Sequence, residues 1–256
     1  MRLDVLCARQ TGRSRRQMKP LLAQGHVWVN GHVEQDPKAW VTGFDRIEIT
    51  DEQGQPCLIQ TGRPREYWIL HKPAGYISSH VSESGHPTVF ELLPEAVRQE
   101  VHFVGRLDVS TTGLMLMTSD GQWSKRLSRP EFHMPKVYRV QTESPMDEAD
   151  KQAFAEGVWL HGESCLTRPA ALEIMNEHWV RLTLHEGRRH QVKRMLRCRH
   201  NRVLALHRES MGPLNLQGLA EGEVRRLSAE ELQAVDDELK RYIESCSSEK
   251  MRSLLS

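Results

Sequence analysis

Residues 105–114 read GRLDVSTTGL, and the fold turns on how this stretch is read. Gly105 and Gly113 let the backbone turn tightly before the apolar run LMLMT (114–118), so the segment reads as a loop feeding a strand. Ser110, Thr111 and Thr112 can bond loop amides and fix its shape. Its one carboxylate, Asp108, stands beside Arg106 with no second carboxylate to complete an acid–base pair. From composition alone, capping a turn is the commonest role for such an aspartate.

The 256-residue chain has room for one large domain or a small one plus a large one. Five cysteines (7, 57, 165, 198 and 246) are scattered without a CxxC pair, which argues against a disulfide framework or structural zinc and fits a reducing cytoplasm. The thirteen histidines are equally dispersed, so no metal is expected. No run approaches the ~20 apolar residues of a membrane helix, and the polar start MRLDVLCARQ is not that of a signal peptide.

The net charge of +1 hides strong segregation. Residues 1–30 hold six Arg/Lys against one Asp, and residues 186–208 hold eight against one Glu. Acidic segments at 147–177 and 220–256 offset them. One dense basic stretch reads as a solvated helix; two point to a polyanion partner.

The first 50 residues form a candidate module. A short helix places Leu3, Leu6 and Cys7 on one face, and Ser14-Arg-Arg-Gln17 matches a capping box opening a basic helix that runs to Gly25. HVWVNGHV then alternates around Asn30-Gly31, a hairpin signal. Residues 51–65, DEQGQPCLIQTGRPR, read as a polar linker. Beyond it, YWIL, VHFV, LMLMT, KVYRV, ALEIM, WVRLTL and VLAL are short β-type runs, with helices expected at 121–128, 147–156, 189–198 and from the Ser228–Glu231 capping box to about 245. Asn176 points to a hairpin, hence to a partly antiparallel sheet, and 246–256 reads as a frayed tail.

Two families account for these motifs. RLDVLCARQTGRSRRQMKPLLAQGHVWVNG (2–31) resembles an S4 RNA-binding domain, with Pro20 a departure inside the helix. The resemblance implies phosphate contacts from Arg2, Arg13, Arg15, Arg16 and Lys19. GRLDVSTTGL resembles the GRLD motif of pseudouridine synthases, which puts Asp108 at the position of their essential aspartate. LHKPAGY (70–76), PKVYRV (135–140) and EGRRHQVKRML (186–196) resemble the family's other motifs in the expected order. HQVKRM is similar to the RsuA/RluB/RluE/RluF branch, and TSDGQWSKRLSRP, HMPKVYRV and LHRESMGPLNL resemble the RsuA type most.

The resemblance implies an α+β fold: a small N-terminal S4 (αL-like) domain at 1–50, a linker at 51–65, and a catalytic domain at 66–245 with a mixed, largely antiparallel sheet and a central cleft. It implies a cytoplasmic, monomeric isomerase without cofactor, acting on 16S rRNA or a ribosomal assembly intermediate, at uridine 516. The implied roles are Asp108 as nucleophile, Tyr138 as stacking partner and proton-transfer group, Lys193 as the cation paired with Asp108, and Arg106 as an RNA contact. Attack at C1′, attack at C6 and a glycal route all remain open for the aspartate. Leu196 would line the uracil pocket, Lys72 and Tyr76 would shape its wall, and His190 and Gln191 would support it. Arg188, Arg189, Arg194, Arg197 and Arg208 are candidates for the RNA backbone. The alternatives are a 23S rRNA synthase with the same residues, or a noncatalytic S4-type RNA-binding or ribosome-assembly factor.

Overall fold

The computed structural model describes residues 1–50, 54–132 and 134–245, and the chain divides after Arg65 into two units. The expected tail at 246–256 lies outside the described residues.

In the first unit, α1 (Leu3–Thr11) and α2 (Arg15–Ala23) precede β1 (Val27–Val29), β2 (His32–Val33), β3 (Ile47–Thr50) and β4 (Pro56–Gln60). Ser14 and Gln17 form the anticipated capping box, and Pro20 is accommodated inside α2. The Asn30-Gly31 turn joins β1 to β2 antiparallel. Leu3, Leu6, Cys7, Met18, Leu22, Val27, Ile47 and Ile49 close a separate core. The linker expected at 51–65 is corrected here: Pro56–Gln60 is an edge strand of the sheet β2-β1-β3-β4, and the unit extends to Arg65, whose guanidinium meets Asp45 at 3.1 Å. An edge position tolerates proline at a strand's first residue, because no ladder hydrogen bond is required of its nitrogen there.

The second unit contains β5 (Tyr67–Lys72), β6 (His102–Val104), β7 (Thr112–Thr118), α3 (Gly121–Ser128), β8 (Lys136–Thr142), α4 (Glu148–Glu156), β9 (Ala171–Ile174), β10 (Trp179–Leu184), α5 (Gln191–Cys198), β11 (Val203–Met211), β12 (Leu214–Asn215), β13 (Val224–Arg226) and α6 (Ala229–Ser245). Its sheet runs β13-β5-β7-β11-β8-β10-β9, with β6 on β7 and β12 on β11. Among the described strands, every pair is antiparallel except β7 with β11.

The continuous apolar run of β7 follows from burial on both faces. Met115 and Met117 join Trp68, Leu70, Val140, Leu182, Val192 and Met195 on one side. Leu114 and Leu116 join Ile69, Trp123, Leu127, Met211, Val235 and Leu239 on the other. A loop leaving the start of β7 is therefore anchored in the middle of the core, which gives the GRLD segment a rigid base.

Candidate active site

The 105–111 loop is fixed from several directions. Gly75 N–H donates to Val109 O at 2.8 Å, Thr111 N–H to Asp108 O at 3.0 Å, and the Ser78 hydroxyl to Leu107 O at 2.9 Å. Lys72, fully buried at the end of β5, donates from Nζ to the carbonyls of Pro73 (3.0 Å), Val109 (3.3 Å) and Thr111 (2.9 Å). Burial pushes this ammonium down to about 8, against the opposing pull of Asp108 and Glu221. Lys72 thus holds the shape of the loop from its buried side; neither it nor Tyr76 lines the cleft. Tyr76 packs partly buried against the adjacent core.

Opposite the loop, the EGRRHQ segment bonds to itself. The Gln191 amide donates to Glu186 Oε1 at 2.7 Å and accepts the Arg188 N–H at 2.8 Å. His190 takes a left-handed backbone (φ 52°), and α5 begins immediately after it. One turn into α5, Lys193 Nζ lies 2.9 Å from Asp108 Oδ2 and 3.1 Å from Ser110 Oγ, while His190 Nε2 lies 3.4 Å from Asp108 Oδ1. The anticipated carboxylate–cation pair is formed by residues 85 positions apart, and a histidine stands on the second carboxylate oxygen.

Asp108, Lys193, His190, Tyr138, Arg106 and Arg189 line one cleft of about 950 Å³. Tyr138 on β8 is buried, and Arg106 and Arg189 are exposed. A 25 % exposed carboxylate between a cation and an imidazole, beside an aromatic wall, is placed to act on an electrophilic carbon of a bound group.

Four expected contacts are corrected. Leu196 is fully buried in the core behind α5 and does not line the cleft; Leu184 and Leu206 do. Arg188 is engaged internally, by Glu186 at 3.1 Å and the carbonyls of Cys165 and Leu166 at 3.0 and 2.6 Å. Arg194 likewise binds Glu163 at 2.7 Å and His161 O at 2.8 Å. These two arginines tie the 157–168 loop to α5 instead of facing solvent. Arg208 is 2 % exposed, too deep for a surface phosphate contact. Arg197 remains exposed. In the first unit, Arg2 and Arg15 both bind the buried Asp4, at 2.9 and 3.0 Å, while Arg16 and Lys19 are exposed and Arg13 half-buried.

Comparison with known proteins agrees with this geometry. Residues 66–197 match the family model for RNA pseudouridylate synthase, and residues 1–47 match the S4 domain. The chain is 47 % identical over 236 residues to ribosomal small subunit pseudouridine synthase A of Pseudomonas aeruginosa, covering 92 % of this chain and 100 % of that one. It is 43 % identical over 238 residues to the protein of the same name from Escherichia coli K12, with the same coverage. A crystal structure of a pseudouridylate synthase superposes with a TM-score of 0.66 at 36 % identity, over 92 % of this chain and 99 % of that one.

Proposed function

Because the chain belongs to the RsuA-type pseudouridine synthases with an N-terminal S4 domain, we propose that it isomerises one uridine of 16S rRNA, the residue at position 516. The observation that carries this reading is the Asp108–Lys193 pair at 2.9 Å on the wall of a cleft that also presents Tyr138. The atoms to be exchanged lie within the base stack, so the nucleotide is flipped into the cleft, where the Tyr138 ring gives its base an apolar face. Lys193 pairs with Asp108 and directs it, His190 restrains its other oxygen, and the carboxylate meets the flipped nucleotide. Arg106 and Arg189 at the rim contact the RNA around the vacated position. The basic helix α2 holds more distant rRNA phosphates, and the activity belongs in the cytoplasm with its substrate.

Both the reaction and its target are open to test. Asp108→Asn should reduce pseudouridine formation below detection while the Kd for rRNA changes by less than about threefold, since one rim carboxylate contributes little to a phosphate-dominated affinity. Wild-type pseudouridine levels from that variant would refute the role of Asp108. In a strain lacking the gene, mapping should show one pseudouridine lost from 16S rRNA; a loss from 23S rRNA instead would move the target to the large subunit.

A further inference from the structure

The cleft has a second set of polar groups that the reaction as described leaves unused. Arg208 on β11 donates from Nε to Leu114 O at 2.7 Å, but its Nη2 is buried without a hydrogen-bond partner. Thr111, 1 % exposed, has a hydroxyl in the same condition. Lys136, opposite Met211 in the β8–β11 pairing, donates to Met134 O at 2.9 Å. All three residues line the cleft. Burial and the positive charge of Arg208 push the Lys136 ammonium down to about 8.

The nearby carboxylates do not neutralise these cations. Asp108 is taken by Lys193 and His190, Glu186 by Arg188 and Gln191, and Glu83 is exposed. A buried guanidinium and a half-buried ammonium with donors to spare are costly unless a ligand brings hydrogen-bond acceptors to them. Two acceptor-rich parts of RNA could do so. A backbone phosphate stays on the outside of the strand and suits the exposed rim arginines better than a guanidinium at this depth. A flipped uracil presents the carbonyl oxygens O2 and O4; cytosine keeps O2 but carries an amino group, a donor, in place of O4, so cations at that position distinguish the two bases.

We propose that Arg208, with Lys136 and Thr111 beside it, binds the O4 edge of the flipped base and so selects uridine over cytidine. The proposal rests on the reading given under Proposed function. The same contacts serve during the isomerisation. When the N1–C1′ bond breaks, its electron pair remains on the base, spread over N1, O2 and O4. C5 then bonds to C1′ and loses its proton, and N1 gains one, so the composition is unchanged. Cationic donors on a carbonyl favour the charged, detached base over the neutral bound one.

The test uses an rRNA fragment whose target is uridine, 2-thiouridine or 4-thiouridine, with the full-length wild type, Arg208→Met and Lys136→Met. Replacing the contacted oxygen with sulfur, a weaker acceptor, should slow the wild type by about 10–100-fold. Arg208→Met should lose a similar factor on uridine, mainly in kcat, and little more on that thio substrate, with RNA affinity within about threefold of wild type. If Arg208→Met proves unfolded by circular dichroism, Lys136→Met supplies the same comparison. Losses that multiply independently on 4-thiouridine overturn the O4 contact, whatever happens on 2-thiouridine, as does a fall in RNA affinity and salt slope with kcat unchanged, which would indicate a phosphate. A wild type that forms no pseudouridine on any substrate overturns the activity itself, a result distinct from either.

Discussion

Asp4 and Asp108 have the same side chain and opposite settings. Asp4 has no solvent exposure and receives both oxygens' worth of contacts from Arg2 and Arg15, whereas Asp108 is 25 % exposed beside Lys193. Burial pushes the Asp4 carboxyl up, but the hydrogen bonds from Arg15 and Arg2 outweigh it and hold the group below the ordinary aspartate value of 3.8. A carboxyl depressed on folding stabilises the folded state fully above its unfolded pKa, and that stabilisation is lost as pH falls through the lower folded value. Asp4→Asn should therefore cost the first unit about 2 kcal/mol at pH 7 and much less near pH 2. Amide exchange of α1 in the full chain checks this, and an equal cost at both pH values would refute it. This pair also marks a limit of the sequence. Arg15 lies in a basic run that looks like a phosphate grip, and Arg188, Arg194 and Arg208 do too; charge is visible in a sequence, but the buried partner is not. Asp108, Tyr138 and Lys193 were legible because their chemistry ties each residue type to a fixed place in an ordered set of motifs.

At the level of elements, the two glycines that bracket the GRLD loop perform different tasks. Gly105 has φ 72° with open space where a Cβ would be, so Gly105→Ala should cost only the left-handed backbone penalty of about 1–2 kcal/mol. Gly113 has φ 109°, and a Cβ there would overlap the Arg208 backbone oxygen across the parallel β7–β11 pairing. Gly113→Ala should cost at least about 3 kcal/mol and reduce activity by displacing β11 from the loop. Thermal unfolding of the two variants should rank them in that order; equal midpoints would disprove the close approach. The sequence shows both glycines as breaks before a strand, because the neighbour that matters to Gly113 is 95 residues away. Local composition and length explain two of the missed strands. PCLIQ starts with proline in polar surroundings, and VRR has three residues; each becomes a strand through its pairing partner, β3 for one and β5 for the other. Among the apolar runs, YWIL and LMLMT were legible because both of their faces are buried, and WVRLTL because it alternates between a buried and a half-buried face.

For the whole molecule, the segregated charge predicts a division of labour. Arg16 and Lys19 are exposed cations of α2, so changing both to glutamine should weaken rRNA binding and lower the slope of log K against log salt by about 1.5. An unchanged slope would remove α2 from the phosphate contacts. Arg15 should be left intact in that test, because its loss would also release Asp4. The closure of the second sheet adds an element of timing. β5, its first strand, lies between β7 and β13, and β7 in turn requires β11. The first unit has a complete core by residue 65, but Arg226, the last residue of β13, is 161 positions further on. At ~5–20 residues per second of synthesis, that interval is roughly 10–30 s. For that time a nascent chain presents a folded basic module ahead of an unfinished catalytic sheet, and it can hold RNA before it can alter it.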